Sequence, residues 1–152
     1  MEIKVAFSYK DCIAKGLLRK IPASKDKASR SIRKSEKWLE EAEKTFKSGA
    51  FGSSVLASYL VMFHSARAIL FFDGFREKSH ACVARYFEEK YIKTGKLENK
   101  WLELLDYHRE VRHNDQYSLS FFSTKDEAKV ALESASQFLQ RMKRLYTFLK
   151  KS

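Results

Sequence analysis

At 152 residues, with 44% hydrophobic and 14% aromatic side chains, the chain can bury a core without metal or disulfides and is too apolar to be disordered. Five glycines and one proline argue against an all-β chain of tight turns, and a 32% share of charged residues fits long solvated helices. A formal net charge of +11, spread along the chain with some weight toward the N-terminus, favours polyanionic partners.

Ser8 with Asp11 resembles a capping box, after which Tyr9, Ile13 and Leu17 mark one side of a short first helix that Pro22 ends. Ala28, Ile32, Leu39, Ala42 and Phe46 predict a second helix from about Ser24 to Lys47, stopped by Ser48-Gly49. Along it Lys27, Arg30, Lys34, Lys37 and Lys44 recur at helical spacing. Glu36, Glu40, Glu41 and Glu43 interleave with them, which favours a solvated, salt-bridged face over a track for a nucleic-acid backbone.

The third segment, about Ser53 to Asp73, is apolar nearly all round and belongs in the middle of a bundle, with Gly74 as its C-cap. Its most apolar run, Val55 to Phe72, holds His64 and Arg67 and reads as too short and too polar to span a bilayer. The charged opening MEIKVAFSYKD does not read as a signal peptide, so a soluble cytoplasmic protein without membrane contact is expected. A fourth helix from near Ser79 to Thr94-Gly95 places Val83, Phe87 and Tyr91 inward. The fifth takes Leu97, Trp101, Leu104, Leu105 and His108 as its stripe. Ser123 with Asp126 marks a second capping box, opening a last helix whose wide apolar face runs from Ala128 to Leu149. The expected architecture is one domain over residues 1–152, a single antiparallel bundle of about five to six helices.

Cys12 and Cys82 stand far apart in no CxxC spacing and read as reduced thiols, so no disulfide is expected. The four histidines, His64, His80, His108 and His113, follow no metal-binding spacing, and no cofactor motif, P-loop or nucleophile elbow is present. Neither a metal nor a cofactor is expected.

The stretch REVRHNDQY, Arg109 to Tyr117, departs from the pattern around it. Helical spacing aligns positions 101, 105, 108 and 112, so Arg112 continues an apolar stripe. A buried unpaired charge costs several kcal/mol, so Arg112 needs a carboxylate, a helix-end carbonyl or an open cleft. Either Arg112, Asp115 and Tyr117 cap the helix, or Arg112 is aimed at a phosphate.

YLVMFHSARAILFFDGFREKSH, then VARYFEEKYIKTGKL, then the Arg112–Asp115–Tyr117 element and the closing helix, resemble a HEPN domain of the small single-domain prokaryotic branch. The match covers about residues 28–148, with residues 1–22 as a short helix packed on it. The resemblance implies an antiparallel helical bundle that pairs as a homodimer, and an RNA-binding protein that acts as a metal-independent ribonuclease. It further implies a toxin-like component, with a nucleotidyltransferase antitoxin as partner and Tyr117 as an acceptor of AMP. The alternative is a non-catalytic module that binds a nucleotide or a partner protein.

On this resemblance Arg112, His113 and Tyr117 are the candidate catalytic residues, and Asp115, His64, Arg67 and Arg109 are candidates for binding or orienting phosphate. Many HEPN ribonucleases carry a histidine four to six residues after the motif arginine; here Tyr117 stands in that place and no histidine follows. Tyrosine, with a reference pKa of about 10, is a poor base beside histidine.

Overall fold

The computed structural model describes residues 8–117 and 123–152, and is an all-α bundle with one small two-stranded sheet. Six α-helices occur among the described residues: α1 (Tyr9–Ala14), α2 (Lys25–Lys47), α3 (Phe51–Asp73), α4 (His80–Phe87), α5 (Asn99–Tyr117) and α6 (Lys125–Lys151). Two three-residue strands, β1 (Leu18–Lys20) and β2 (Phe75–Glu77), pair antiparallel with Leu18 opposite Glu77.

α3 is the central element, packed on α2, α6 and α5. Small side chains let α2 approach it closely. Ser31 and Ser35 are buried and donate to the α3 carbonyls of His64 (2.7 Å) and Val61 (2.6 Å), while Ser54 reaches back to Ala42 (2.8 Å). Each bond satisfies a hydroxyl that burial would otherwise strand. α3 is long and apolar enough to cross a membrane by length and composition, longer than its apolar run implied, yet 72% of its most apolar stretch is buried within the bundle. A core helix passes the same test.

Gly74 ends α3 in the left-handed conformation (φ 88°), and Ile21 N–H donates to its carbonyl at 2.9 Å. A Cβ there would lie 2.8 Å from the Ile21 carbonyl oxygen, so only glycine lets the β1–α2 connection cross the end of α3. The first helix stops at Ala14, not at Pro22, because Gly16 (φ 71°) turns the chain into β1. The fourth helix is α4 only as far as Phe87; a π-helical turn over Glu88–Ile92 continues it. The hydroxyls of Tyr86 in α4 (2.7 Å) and of Tyr91 in the π turn both donate to Asp73 at the end of α3.

Two further expectations are corrected. The box that opens α6 is Thr124 with Glu127, one residue later than read, because the longer glutamate reaches back to the N-cap N–H. Cys12 and Cys82 form a disulfide between α1 and α4. Pairing of β1 with β2 brings α1 onto α4, a proximity that a separation of 70 residues conceals. Both cysteines are fully buried.

Candidate functional site

The inward placement of Arg112 follows from the α5 stripe. Trp101, Leu105 and His108 are buried on it, and Arg112 is half-buried one turn further on. α5 is held against α6 at its start, where Glu98 accepts from Trp101 (2.7 Å) and from Arg141 (2.9 Å). At its far end the Arg112 guanidinium lies 5.0 Å from the centroid of the Tyr59 ring on α3. This is a cation–π contact in a desolvated setting.

α3 contributes a row at i,i+4 spacing: Tyr59, Phe63, Arg67 and Phe71. The ring of His80, first residue of α4, stacks on Phe63 at 3.9 Å, and its Nδ1 is 2.9 Å from the Tyr59 hydroxyl. Arg67 lies over Phe71 (4.9 Å) and Phe63 (5.8 Å) and donates to Glu77 of β2 at 2.9 Å. Arg109, one turn before Arg112, is fixed by Asp106 (3.2 Å), which also accepts from Arg85 of α4 (2.9 Å). Arg67 thus lies over Phe63 and Arg112 over Tyr59, the two rings that His80 stacks on, and Arg109 is held by a carboxylate one turn before Arg112.

Burial, then Arg112, Arg109 and Arg67, hold His80 well below the usual histidine range, at about 4, so it is neutral at pH 7. Burial pushes the Tyr59 hydroxyl up to about 12 against the pull of Arg112 and Arg109, so it stays protonated. A cation-rich cluster with a neutral imidazole and a phenol can bind an anion, and can offer the imidazole as a proton acceptor.

The sequence-derived candidates are placed unequally. Arg112 and Arg67 lie over the two rings that His80 contacts, and Arg109 stands one turn before Arg112. His64 is buried but lines a separate cleft against α2, and burial, then Lys34, Arg67 and His80, hold it at about 4. His113 is exposed on α5. The side chains of Asp115 and Tyr117 lie outside the described residues, although α5 extends through Tyr117. His108 is packed as expected, edge-on to Tyr107, but its buried Nε2 has no hydrogen-bond partner. Tyr59, His80, Glu77, Asp106 and Arg85 were not singled out as site residues. The signals available were the i,i+4 aromatic row on α3 and the closely spaced Lys78 and His80.

Among the described residues no group of three or more His, Cys, Asp or Glu side chains is arranged to hold a metal ion. The architecture is that of a helical bundle carrying an arginine-rich cluster at the junction of α3, α4 and α5. The HEPN domain family model matches residues 28–145, and the chain belongs to that family. A Methanocaldococcus jannaschii protein named "Putative toxin" is 26% identical over 72% of this chain and 81% of its own. A "UPF0332 protein" of Archaeoglobus fulgidus is 29% identical over 78% of this chain and 94% of its own.

Proposed function

We propose that this protein binds RNA at the α3–α4–α5 junction and cleaves it without a metal ion. Arg112 and Arg109 would hold the scissile phosphodiester, and His80 would accept the 2′-hydroxyl proton as that oxygen attacks phosphorus. The P–O5′ bond breaks, leaving a 2′,3′-cyclic phosphate and a 5′-hydroxyl that takes its proton from water or from the protonated imidazole. The observation that carries this reading is the neutral imidazole of His80, within hydrogen-bond distance of Tyr59 and stacked on the two rings over which Arg112 and Arg67 lie. It supplies a histidine from α4 where the sequence after Arg112 offers Tyr117. The net charge of +11 and the HEPN family membership support a polyanionic substrate. The name of the Methanocaldococcus relative supports a toxin-like role. In that role the partners would be a second copy of the chain and a nucleotidyltransferase antitoxin.

A second reading, a non-catalytic binding module, is favoured by the depth of the His80 shift. An imidazole held at about 4 is a weak base until a bound anion offsets the arginines. End-labelled mixed-sequence RNA, incubated in EDTA beside an Arg112→Ala control of proven fold, separates the two. Products ending in 2′,3′-cyclic phosphate that vanish in the control establish the ribonuclease. Intact RNA at high protein excess rules out the ribonuclease and leaves the binding module as the reading to test by affinity.

A further inference from the structure

α2 presents Lys27, Arg30 and Lys34 on one face, and this face closes over α3 and β2 to form a cleft of about 300 Å³ with Arg67 and Arg76. Five cationic side chains and no carboxylate line it. Two of the five are tied to acids that do not line it: Arg30 to Asp26 (2.7 Å) and Arg67 to Glu77 (2.9 Å). Lys27, Lys34 and Arg76 form no ion pair with any described residue. The expected salt-bridged face does exist on α2, but elsewhere, at Lys37 with Glu40 and at Glu36 with Lys143 of α6.

The wall of the cleft is specific. His64 is 7% exposed, and its Nδ1 is buried with no hydrogen-bond partner. Ser31, which also lines the cleft, spends its hydroxyl on the His64 carbonyl and so fixes the backbone that carries the imidazole. A buried polar atom left without a partner at a cleft of uncompensated cations requires an explanation. Like charges lining one cleft repel, and a multivalent anion relieves that repulsion, its field reaching the buried His64 imidazole in the cleft wall. The volume exceeds what one phosphate needs and reaches the lower end for a nucleotide-sized ligand.

We infer that this cleft is a second anion site, distinct from the Arg112 cluster, that takes the phosphates of a nucleotide, either free or within an RNA chain. Arg67 joins the two: it lines this cleft and also contributes to the field on His80. The RNA arm rests on the function proposed above, whereas the free-phosphate arm does not.

The test measures binding of pyrophosphate and of a fluorescein-labelled 12-nucleotide RNA to the wild type, Lys27→Ala/Lys34→Ala and Arg112→Ala, at stepped salt. Both lysines are exposed, so the double variant should keep its fold. The inference predicts at least a tenfold loss of pyrophosphate affinity in the double variant, less than a twofold change in Arg112→Ala, and a pyrophosphate-induced shift of the His64 ring resonances. If the double variant also weakens RNA and lowers the salt slope by about 1.4, from about 0.7 per phosphate contact, the phosphates are those of RNA. If RNA binding is unchanged, they belong to a free nucleotide. Equal loss in Arg112→Ala, no change in the double variant, or no pyrophosphate binding at millimolar concentration overturns the site. RNA cleavage plays no part in the readout, so an inactive protein that still binds pyrophosphate here leaves the inference standing.

Discussion

The Arg112 guanidinium sits 5.0 Å from the ring centroid of Tyr59, and the Tyr59 hydroxyl is in turn 2.9 Å from His80 Nδ1. One charge on α5 is thus coupled through a phenol on α3 to an imidazole on α4. Because Arg112 is the largest electrostatic cause holding His80 down, Arg112→Ala should raise the His80 pKa from about 4 toward the ordinary histidine value. NMR titration of the His80 ring reads this directly, and an unchanged midpoint would show that Arg112 takes no part in setting it. Arg112→Lys should leave the midpoint near that of the wild type while weakening RNA binding, since an ammonium lacks the planar fork that matches a phosphate.

Three histidines, His64, His80 and His108, are held at about 4, in each case chiefly by burial. Their folded pKa values lie below the unfolded value of about 6.5, so between pH 6.5 and 4 the unfolded chain binds more protons. Stability is therefore unaffected by these groups above pH 6.5, falls as pH drops toward 4, and loses nothing more from them below that. Urea midpoints measured across this window should decline steadily, and His108→Phe, which removes one titrating group, should flatten the decline. A flat profile from pH 6.5 to 4 would mean that the imidazoles are not buried as described.

The Cys12–Cys82 disulfide closes a loop of 70 residues between α1 and α4. Loop-closure entropy alone puts its contribution at about 4 kcal/mol relative to the reduced chain. Reductant, or Cys12→Ser with Cys82→Ser, should lower the urea midpoint accordingly, with α1 becoming the first segment to exchange its amides. Loss of helicity in α3 before α1 would contradict this order.

Gly74→Ala should cost about 2 kcal/mol, since it combines an unfavourable positive φ with a backbone contact that cannot yield. Gly49→Ala supplies the control: it shares the positive φ (83°) but a Cβ there meets nothing within 4 Å. Thermal unfolding of both variants separates the steric cost from the conformational one.

The helices were legible where their signals are local. The stripe from Ala28 to Phe46, the all-round apolarity of α3 and the stops at Ser48-Gly49 and Gly74 depend on residues within a few turns of one another. The inward course of Arg112 followed from the same arithmetic. β1 and β2 were not legible, because three residues carry no period and their partner lies more than fifty positions away. The π turn is likewise invisible in a sequence where Phe87 and Tyr91 still read as inward on an ordinary helix. The cysteines misled for the same reason as the strands, and with a disulfide present their spacing no longer argues for a reducing compartment. The role of His80 depends on Phe63 and Tyr59, which the fold alone brings beneath it. Lys27 and Lys34 were read as part of a salt-bridged face because the interleaved glutamates are visible in sequence, whereas the side of α2 each faces is set by α3.

Glu77 is the strongest lever on the link between the two arginine-rich regions. Its buried carboxylate accepts from Arg67 at 2.9 Å, with the Arg67 side chain 20% exposed and that of Glu77 8% exposed. Removing the charge in Glu77→Gln leaves Arg67 desolvated and less compensated, which should destabilise the fold by about 3 kcal/mol. The same change frees a guanidinium that lines the α2 cleft, so pyrophosphate should bind several-fold more tightly and restore part of the lost stability, rising with the logarithm of its concentration above Kd. Arg67→Met should also destabilise the fold, by stranding Glu77, but it should weaken pyrophosphate. Opposite shifts in affinity with same-sign losses in stability would identify Arg67 as a ligand-facing cation that Glu77 restrains. Parallel losses of affinity would reduce the pair to a structural tie between α3 and β2.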